Sequence, residues 1–357
     1  MSTWDAYPSD YRNREIQAIR AAIGAGECVS LVGLSGSGKS NLLGYLAQQP
    51  SDKVSLQLVD CNRLDEFTVA AFFRFVRHTL GDSGEAADEM AALEVTISRH
   101  LEMTPALCLL LDRFDALAEA VTPAIFSNLR ALRDAHKYAL TYITATRRPL
   151  NPHTELAELF FANTIWLGAL SESDAHWNIE RYAQRKILKW DESVIRQISS
   201  LSRGYPSLLR AVCEAHSAGC SLDTQSLANH PAVRRRVEEF WADHPGEEEL
   251  RCSGLTDHPL LVRRRSPETM DTTQFTAKEN LLWAYFLAHP DQVCEKDDLI
   301  RAVWSEDKIY ERGIRDDSLA QVVRRLREKV ETDPSNPRLI HTVAGRGYRF
   351  TPEWEPG

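Results

Sequence analysis

The pattern most specific for chemistry is an eight-residue stretch in which glycines precede a Lys-Ser pair. Residues 33–40 read Gly-Leu-Ser-Gly-Ser-Gly-Lys-Ser and match G-x-x-x-x-G-K-[ST]. Glycines in such a loop let backbone N–H groups turn toward phosphate oxygens, the lysine reaches the β- and γ-phosphates, and the serine hydroxyl ligates Mg²⁺. The stretch predicts a phosphate-binding loop for ATP or ADP with these contacts: Gly33, Ser35, Gly36, Ser37, Gly38, Lys39, Ser40 and Asn41.

A second candidate group is the acidic end of an apolar run, where Leu-Cys-Leu-Leu-Leu (107–111) leads into Asp112-Arg113-Phe114-Asp115. Phosphoryl transfer needs a carboxylate for the metal at the tip of a neighbouring buried strand. We therefore predict that Asp112 and Ser40 hold Mg²⁺, although an Asp at a strand end can also cap the next turn. Asp115 is a candidate for polarising water or an ordinary surface residue. Arg113 stands where many such proteins place a water-activating Glu, so the sequence supports binding more strongly than hydrolysis.

A third group follows the run Leu-Thr-Tyr-Ile-Thr-Ala-Thr, which ends at Thr146-Arg147-Arg148. If this strand lies beside the phosphate loop, its carboxyl end faces the γ-phosphate. Arg147 is then a catalytic residue, together with Lys39, Asp112 and Asp115, that reports whether this phosphate is present. Solvated loop arginines are the equally simple alternative.

The elements that position these groups are short β-rich runs separated by helical stretches. The runs lie at 28–32, 54–59, 107–111, 140–144 and 163–167, and such apolar runs are typical of a buried parallel sheet wrapped by helices. We expect an α/β P-loop NTPase domain over 1–168. Helical periodicity replaces the β pattern over 169–235, which predicts a helical lid, and the mixed Pro, Gly and charged residues of 236–273 predict a linker.

Composition narrows the class of protein. The chain has 357 residues, 43% of them hydrophobic, and a net charge of −9, which fits a soluble globular protein of two to three domains. Its negative charge excludes coating of DNA or anionic membranes by bulk charge. Seven cysteines without a metal-ligand spacing fit a reducing compartment, and no apolar run is long enough to cross a bilayer. We therefore expect a cytoplasmic protein without a membrane partner.

Residues 274–353 predict a separate α+β unit of three helices and a β-hairpin. Thr276 and Glu279 form a capping-box pattern that starts the first helix. The apolar stripes predicted to close one core are Leu281, Leu282, Tyr285 and Phe286 in the first helix, Leu299, Ile300, Val303 and Trp304 in the second, and Leu319, Val322, Val323, Leu326 and Val330 in the third. Glycines around Arg346 predict the hairpin tip. These elements predict a winged helix-turn-helix.

The third helix and the hairpin carry the residues that could contact DNA. From 312 to 349 the chain has nine basic and five acidic residues, a local charge of +4 in an acidic protein. Polar and basic side chains on one helix face can reach phosphates and base edges in a major groove. The predicted contacts to double-stranded DNA are Ser318, Gln321, Arg324, Arg325, Lys329, Arg346, Tyr348 and Arg349.

The ordered motifs of residues 8–215 resemble the STAND branch of AAA+-like P-loop ATPases, related to the Orc-type initiators. The shared features are Tyr11-Arg12-Asn13-Arg14-Glu15, the phosphate loop, the acidic strand end, the Arg-bearing strand and Gly204-Tyr205-Pro206. The family has Gly where this chain has Asn13, and Asn is the next best residue for a left-handed backbone.

The same resemblance assigns further roles. It places Arg14 and Pro206 on the side of the site that binds the base, and it implies self-association on ATP binding. An arginine from a neighbouring subunit completes the site in ring-forming relatives, for which Arg130 and Arg133 are candidates, although most helix arginines are simply solvated. The large C-terminal repeat arrays of the family are absent from this sequence, so a signalling partner is left unidentified.

Residues 275–351 are similar to the winged-helix effector domain of the OmpR/PhoB type. The similarity rests on FTAKENLLWAYFLAHPDQVCEKDDLIRAVW, on RRLREKVE and on IHTVAGRGYRF. It implies that the third helix enters the major groove and that the hairpin contacts the adjacent minor groove and backbone. A winged helix used as a protein-contact platform is the alternative.

Together these observations predict an ATP-dependent switch that controls DNA binding, a transcriptional regulator that hydrolyses ATP slowly to ADP and phosphate. Two other hypotheses stay open. One is an Orc-like, phage-defence or mobile-element ATPase that uses the winged helix for DNA or protein contacts. The other is a nucleotide-binding adaptor without turnover.

Overall fold

The computed structural model describes residues 7–49, 51–115, 117, 124–151, 153, 155–160, 162–261, 274–304, 316–331, 334–337 and 339–351. They fall into two compact units that divide after Leu261. Residues 262–273 of the predicted linker lie outside this description.

The first unit is built on a parallel sheet. Within the ranges given, its strands are β1 (Val29–Val32), β2 (Ser55–Asp60), β3 (Leu107–Asp112), β4 (Leu140–Thr146) and β5 (Thr164–Trp166), in the spatial order β2-β3-β4-β1-β5. All five predicted β runs are thus confirmed. Both β3 and β4 are buried along their whole length, because helices cover both faces of the sheet.

The strand order decides which side chains meet. β4 pairs with β1 on one side and with β3 on the other, for example Val29 with Ile143 and Leu107 with Leu140. Parallel strands end at the same edge of a sheet, so the ends of β1, β3 and β4 lie together. The strand that carries Asp112 is therefore separated from the phosphate-loop strand by β4, whereas the expectation was a direct neighbour.

Helices flank this sheet and share its core. They are α1 (Asn13–Gly24), α2 (Lys39–Ala47), α3 (Val69–Thr79), α4 (Glu89–Met103) and α5 (Ala124–Ala135). The side chains of Thr68 and Asp88 accept hydrogen bonds from backbone N–H groups at the starts of α3 and α4. Fully buried Phe72, Phe114 and Tyr142 lie in one cluster beneath these helices.

A helical lid follows the sheet, as predicted. Its helices are α6 (Glu172–Lys186), α7 (Glu192–Ser202), α8 (Pro206–Ser217), α9 (Thr224–Asn229) and α10 (Pro231–Trp241), and a short helix, α11 (Glu247–Cys252), follows the lid. Ser171 and Asp191 cap α6 and α7 through their side chains, and Pro206 occupies the first turn of α8, where its missing N–H is not needed.

Part of the predicted linker is structured instead. Residues 236–261 contain the end of α10, all of α11, and the buried Leu255 and Leu260. The helix α11 has only six residues, and the buried leucines lie beyond its end, so no sustained period marks them in the sequence.

The second unit contains α12 (Ala277–Ala288), β6 (Val293–Glu295), α13 (Lys296–Val303), α14 (Asp316–Val330), β7 (Ile340–Val343) and β8 (Gly347–Phe350). The predicted three helices, the hairpin and the Thr276–Glu279 capping box are confirmed. β6 was not predicted, because three residues are too few to show a period. It pairs antiparallel with β8 and extends the hairpin to a three-stranded sheet in the order β6-β8-β7.

The core of this unit differs from the prediction at one turn of α12. Leu281, expected in the core, is 50% exposed, whereas Trp283 is 2% exposed and packs edge-on against Phe350. The apolar run Leu281-Leu282-Trp283 fits more than one helical stripe, and the size of the indole decides in favour of Trp283. No helix in the described ranges is both long and apolar enough to traverse a lipid bilayer.

Candidate nucleotide site and nucleic-acid interface

The phosphate loop joins the end of β1 to the start of α2 in a conformation that needs glycine. Gly36 and Gly38 have φ angles of 82° and 93°, in the left-handed region that other residues rarely adopt. Gly33 lies over the buried Ser37, since a Cβ on Gly33 would come within 2.5 Å of Ser37 Oγ. Gly33 and Ser37 thus pack against each other beneath the loop. The other predicted contacts in 35–41 line a cavity on its opposite side.

Lys39 lies inside this loop. Its ammonium group donates hydrogen bonds to the carbonyl oxygens of Gly33 and Leu34. Burial lowers the pKa of Lys39 to about 8, against the attraction of the nearby carboxylates of Asp115 and Asp112. A phosphate group in the cavity would offer this ammonium a partner of opposite charge.

Asp112 ends β3 as a buried carboxylate. Burial raises its pKa, and a hydrogen bond from the Ser40 hydroxyl opposes that rise. Its Oδ1 also accepts from the backbone N–H of Arg113 at 3.0 Å. A serine hydroxyl and a carboxylate in contact are the oxygen ligands that Mg²⁺ takes beside a bound triphosphate, so this pair fits the predicted metal site.

The cavity above the loop has a volume of about 300 Å³ and is rich in cations. Besides Lys39 it is lined by Arg113 and Arg147, and from the lid by Arg210 and Arg236. Sequence reasoning missed the two lid arginines, because Arg210 and Arg236 lie on long helices with no spacing that distinguishes them from solvated residues. Their convergence favours a polyanion.

Arg147 lies at the mouth of the cavity, as expected for the end of β4. Its Nε lies 3.2 Å from Asp115 and its Nη1 lies 2.8 Å from Asp243, a residue of the turn between α10 and α11. Asp115 is therefore engaged by a guanidinium group. Thr146, just before, is buried with 1% exposure.

A second cavity of about 210 Å³ adjoins the first at Asn41, Pro206 and Arg210. Its walls include Tyr7 from the N-terminal segment and Leu209 from α8, so it offers aromatic and aliphatic surface of the kind that a nucleotide base contacts. Pro206 lines both cavities, and its contact with a base stays a prediction. Arg14 is exposed on α1 and is absent from the described walls of both cavities.

Arg12, rather than Arg14, is the arginine that contacts the loop. Arg12 is 2% exposed. Its Nη2 donates to the carbonyl oxygens of Ser37 at 2.9 Å and Gly168 at 3.0 Å. Arg12 also holds the left-handed position, with φ 47°, whereas Asn13 is the first residue of α1. The expected alignment of Asn13 with a left-handed glycine was therefore wrong by one residue.

The lid contacts the phosphate loop directly. The hydroxyl of Tyr205 donates to the carbonyl of Ser35 at 2.7 Å, and the N–H of Ser207 donates to the carbonyl of Gly36 at 3.1 Å. The start of α8 is thus bonded to the outer side of the loop, whose carbonyl groups face the lid.

Of the two arginines considered for contact with a neighbouring subunit, the structure contradicts one. Arg133 is 7% exposed and donates to the carbonyl of Gly26 at 2.7 Å. Arg130 lies on the surface of α5, paired with Asp134 and Glu158.

In the second unit, the exposed face of α14 carries Gln321, Arg324 and Arg325, with Ser318 partly buried beside them. Arg346 and Arg349 are exposed on the hairpin, and Arg346 is paired with Glu295 at 2.7 Å. These residues form two neighbouring features of the predicted interface, a helix face and a hairpin tip.

Two predicted DNA contacts are placed differently. Tyr348 is 9% exposed and belongs to the core of the unit. Lys329 bonds with its ammonium group to Glu279 at 2.6 Å and to the carbonyl of Gln274 at 2.8 Å, which ties α14 to the start of α12. Both side chains have structural partners, which the sequence did not indicate.

Arg327 was not predicted and connects the two features of this interface. Its Nε donates to the carbonyl of Ile340 at 3.0 Å and its Nη2 donates to the hydroxyl of Thr342 at 2.9 Å. α14 is thereby bonded to the first strand of the hairpin.

Exchanging Lys329 for methionine is expected to lower the free energy of unfolding of the second unit by about 1–3 kcal/mol. Glu279 is 1% exposed. Burial would raise the pKa of Glu279, but the hydrogen bonds from Lys329 and Thr276 outweigh burial and lower it. Chemical denaturation of the full chain measures the loss. Arg325→Met is the matched control, expected to weaken DNA binding without affecting stability; equal stability of both variants would contradict the structural role of Lys329.

The sheet order, phosphate loop, acidic strand end and lid define a P-loop NTPase domain of the AAA+-like class, and the second unit is a winged helix. Comparisons with known proteins agree with both assignments. Residues 23–148 match the family model described as AAA domain, and residues 271–350 match the one described as Transcriptional regulatory protein, C terminal. The chain therefore contains an AAA domain followed by a C-terminal transcriptional regulatory domain.

Curated relatives named as transcriptional regulatory proteins are similar to part of this chain. Transcriptional regulatory protein YvrH of Bacillus subtilis is 43% identical over 74 residues, 21% of this chain and 30% of the relative. Alkaline phosphatase synthesis transcriptional regulatory protein SphR of Synechococcus elongatus is 39% identical over 126 residues, 35% of this chain and 45% of the relative. The chain spans less than half the length of these relatives.

Among solved structures, the Walker-type ATPase PABY2304 of Pyrococcus abyssi aligns over 98% of this chain and 97% of its own, with 14% identity and a TM-score of 0.49.

Proposed function

We propose that this protein is a nucleotide-controlled regulator of transcription: its first unit binds ATP with Mg²⁺, and the bound nucleotide controls how the second unit binds DNA. The observation that carries the proposal is the convergence of Lys39, Ser40, Asp115 and Arg147 on one cationic cavity, while the lid is bonded to the same loop. A site of this kind can detect the number of phosphates that it holds.

Ser40 and Asp112 would hold Mg²⁺, which supplies positive charge to the β- and γ-phosphates when bound. Lys39 would bind the same phosphates from the loop, and Arg210 and Arg236 would add contacts from the lid. Because loop and lid both contribute cations, a triphosphate is expected to hold them together more strongly than a diphosphate.

In the second unit, α14 is expected to lie in a major groove and the hairpin to lie against the neighbouring backbone. Gln321 can read base edges, whereas Arg324, Arg325, Arg346 and Arg349 supply cations for phosphates. Nucleotide-dependent self-association would place two such units on adjacent half-sites.

The proposal is tested by measuring nucleotide affinity, promoter binding and oligomeric state for Lys39→Ala, with ADP and with a non-hydrolysable ATP analogue. We expect loss of nucleotide binding and of the nucleotide response of DNA binding. Lys53→Ala, an exposed lysine outside the site, is the matched control. A Lys39→Ala protein that no longer binds ATP yet binds DNA and assembles as the parent does would refute the switch.

The pKa of Lys39 gives this site a pH dependence. Binding of a phosphate favours the ammonium form, but in the free protein this group loses its proton above about pH 8. Binding at higher pH must therefore include proton uptake, and ATP affinity is expected to fall by up to about tenfold per pH unit above pH 8. Calorimetry in buffers of different ionisation enthalpy measures the uptake. Lys39→Arg, which stays charged, should show a flat profile; a flat profile in the parent would contradict the shift.

Arg113 favours a second candidate function, that of an adaptor that binds ATP without useful turnover. It lines the cavity, with a φ angle of 52°, at the position where many relatives place the activating Glu. Phosphate release by the parent and by Asp112→Asn separates the two: turnover that depends on Asp112 supports a slow hydrolase, and equal background rates support the adaptor.

A further inference from the structure

The part of the first unit nearest in sequence to the DNA-binding unit is bonded to the nucleotide site. We call residues 242–261 the strap segment; it contains α11 and is followed in the chain by residues 262–273 and then by the second unit. Its far end is attached to the lid, where Arg203 donates to the carbonyl of Thr256 at 3.2 Å and His258 bonds to the carbonyl of Ser202 at 3.0 Å.

Near its start, the strap segment is bonded to the two arginines that follow β4, in two different ways. Arg148 donates to the carbonyl oxygens of Asp243 and His244, each at 2.7 Å, and its Nε lies 3.1 Å from Glu249. Most of these bonds are to backbone atoms, and Arg148 is not among the residues that line the cavity. Arg148 therefore anchors the strap segment whether or not the cavity is filled.

Arg147 holds the strap segment through a side chain instead. Its Nη1 donates to Asp243 Oδ1 at 2.8 Å while its Nε lies against Asp115. The guanidinium group is half exposed and lines the cavity together with Lys39 and Ser40. It can therefore bind either to Asp243 or to an anion in the cavity.

The carboxylate of Asp243 is only partly hydrogen-bonded in this structure. Its side chain is 10% exposed, and no donor in the described part of the chain reaches its buried Oδ2. A desolvated carboxylate with one bare oxygen depends on the cations around it, and among the described residues Arg147 is the one that forms an ion pair with Asp243. If Arg147 turned to a phosphate, Asp243 would lose that partner and would also face the new negative charge. Both effects push it out of the site.

The backbone beside Asp243 is suited to such a movement. His244, the next residue, has a φ angle of 46°, a left-handed conformation that is strained for a non-glycine residue. This strain is held by the contacts of Arg148 and Arg147 to the same turn. Release of the side-chain contact lets the turn relax while the bonds of Arg148 to Asp243 and His244 keep it attached.

We propose that Arg147 exchanges Asp243 for the terminal phosphate of ATP, so that Asp243 transmits the presence of that phosphate to the strap segment leading to the DNA-binding unit. The proposal rests on the proposed function, since it requires ATP in the cavity. Asp243 acts as a positioning residue that competes with ATP and leaves ADP, which lacks the terminal phosphate, unaffected.

The test compares ATP-analogue and ADP affinities, and hydrogen exchange of residues 242–261, in the full-length parent and in Asp243→Asn. Asparagine keeps the shape of the side chain but removes its charge, so we expect ATP affinity to rise about fivefold and ADP affinity to change less than twofold. In the parent, exchange of the strap segment should be faster with the ATP analogue than with ADP. In Asp243→Asn it should be fast with both.

Glu249→Gln is the matched control, because Glu249 contacts Arg148 and not Arg147. It should leave the ratio of ATP to ADP affinity unchanged. If the parent binds nucleotides but Asp243→Asn leaves this ratio and the exchange of residues 242–261 unchanged, the relay is refuted while the proposed nucleotide site stands. If the parent binds neither nucleotide, the proposed function itself fails.

Discussion

Replacing Gly36 with alanine is expected to weaken ATP binding about 100-fold, because the new methyl group meets the lid. A Cβ at Gly36 would lie 2.2 Å from Ser207 Oγ and 2.4 Å from Ser207 Cβ. The hydroxyl can rotate away, but the Cβ of Ser207 belongs to the first turn of α8 and cannot. The lid must then withdraw, which breaks the hydrogen bonds from Tyr205 to Ser35 and from Ser207 to Gly36, each with a net contribution of about 1 kcal/mol.

The left-handed backbone adds a cost of its own. Gly36 has a φ angle of 82°, at which alanine costs roughly 1–2 kcal/mol. Gly219→Ala isolates this backbone contribution, because Gly219 has a φ of 90° and nothing within 4 Å of its Cβ position. Fluorescence titration with a labelled ATP analogue should show the large loss only for Gly36→Ala. Equal affinities of the two variants would mean that the lid does not dock on this loop when nucleotide binds.

The Arg12→Ala protein is expected to be less stable than the parent by about 3–5 kcal/mol. The buried guanidinium group bonds the phosphate loop at Ser37 to the segment between β5 and α6 at Gly168 and Ala169. Truncation removes the donor that Arg12 supplies to each of these carbonyl groups. Because a domain is stable by only about 5–15 kcal/mol, the loss is expected to show directly in urea denaturation and as a lower ATP affinity.

Two neighbouring substitutions sharpen this test. Arg14→Ala removes an exposed arginine two residues away and is expected to change stability by less than about 0.5 kcal/mol. Arg12→Gly should be less harmful than Arg12→Ala by about 1 kcal/mol, because glycine relieves the left-handed backbone at φ 47°. A larger loss of ATP affinity in Arg14→Ala than in Arg12→Ala would support the base-side role that the resemblance assigns to Arg14.

The sheet and the phosphate loop could be predicted because local sequence decides them. Runs such as 107–111 and 140–144 are continuously apolar, which is what a strand covered on both faces requires. The loop has a motif whose glycines, lysine and serine are each needed for one atom-level task. The position of Asp112 in the site could be predicted from the apolar run and the loop motif together, since Asp112 stands directly at the end of such a run.

The roles of the arginines could not be predicted in the same way. In the sequence, nothing distinguishes four arginines from ordinary charged surface residues: Arg12, Arg14, Arg210 and Arg236. Their different positions result from packing between elements that are distant in sequence. Arg12 is buried because the carbonyl groups of Ser37 and Gly168 surround it, residues 25 and 156 positions away. No period within α1 carries that information.

The strap segment shows the same limit. Its sequence is polar and lacks a period, so a linker was the natural prediction for it. The side chains that order it are Arg147, Arg148 and Arg203, which belong to other elements. Order imposed from outside a segment is invisible in the composition of that segment.

The bonds of Arg327 to Ile340 and Thr342 tie α14 to the hairpin of the second unit and so limit changes in their separation. In the proposed complex with DNA, a helix and a hairpin held at constant separation would lose little conformational freedom on contact with the duplex. They also suit only a limited range of groove widths. Operators whose stiffness or curvature sets that width would then be preferred at base pairs that no side chain touches.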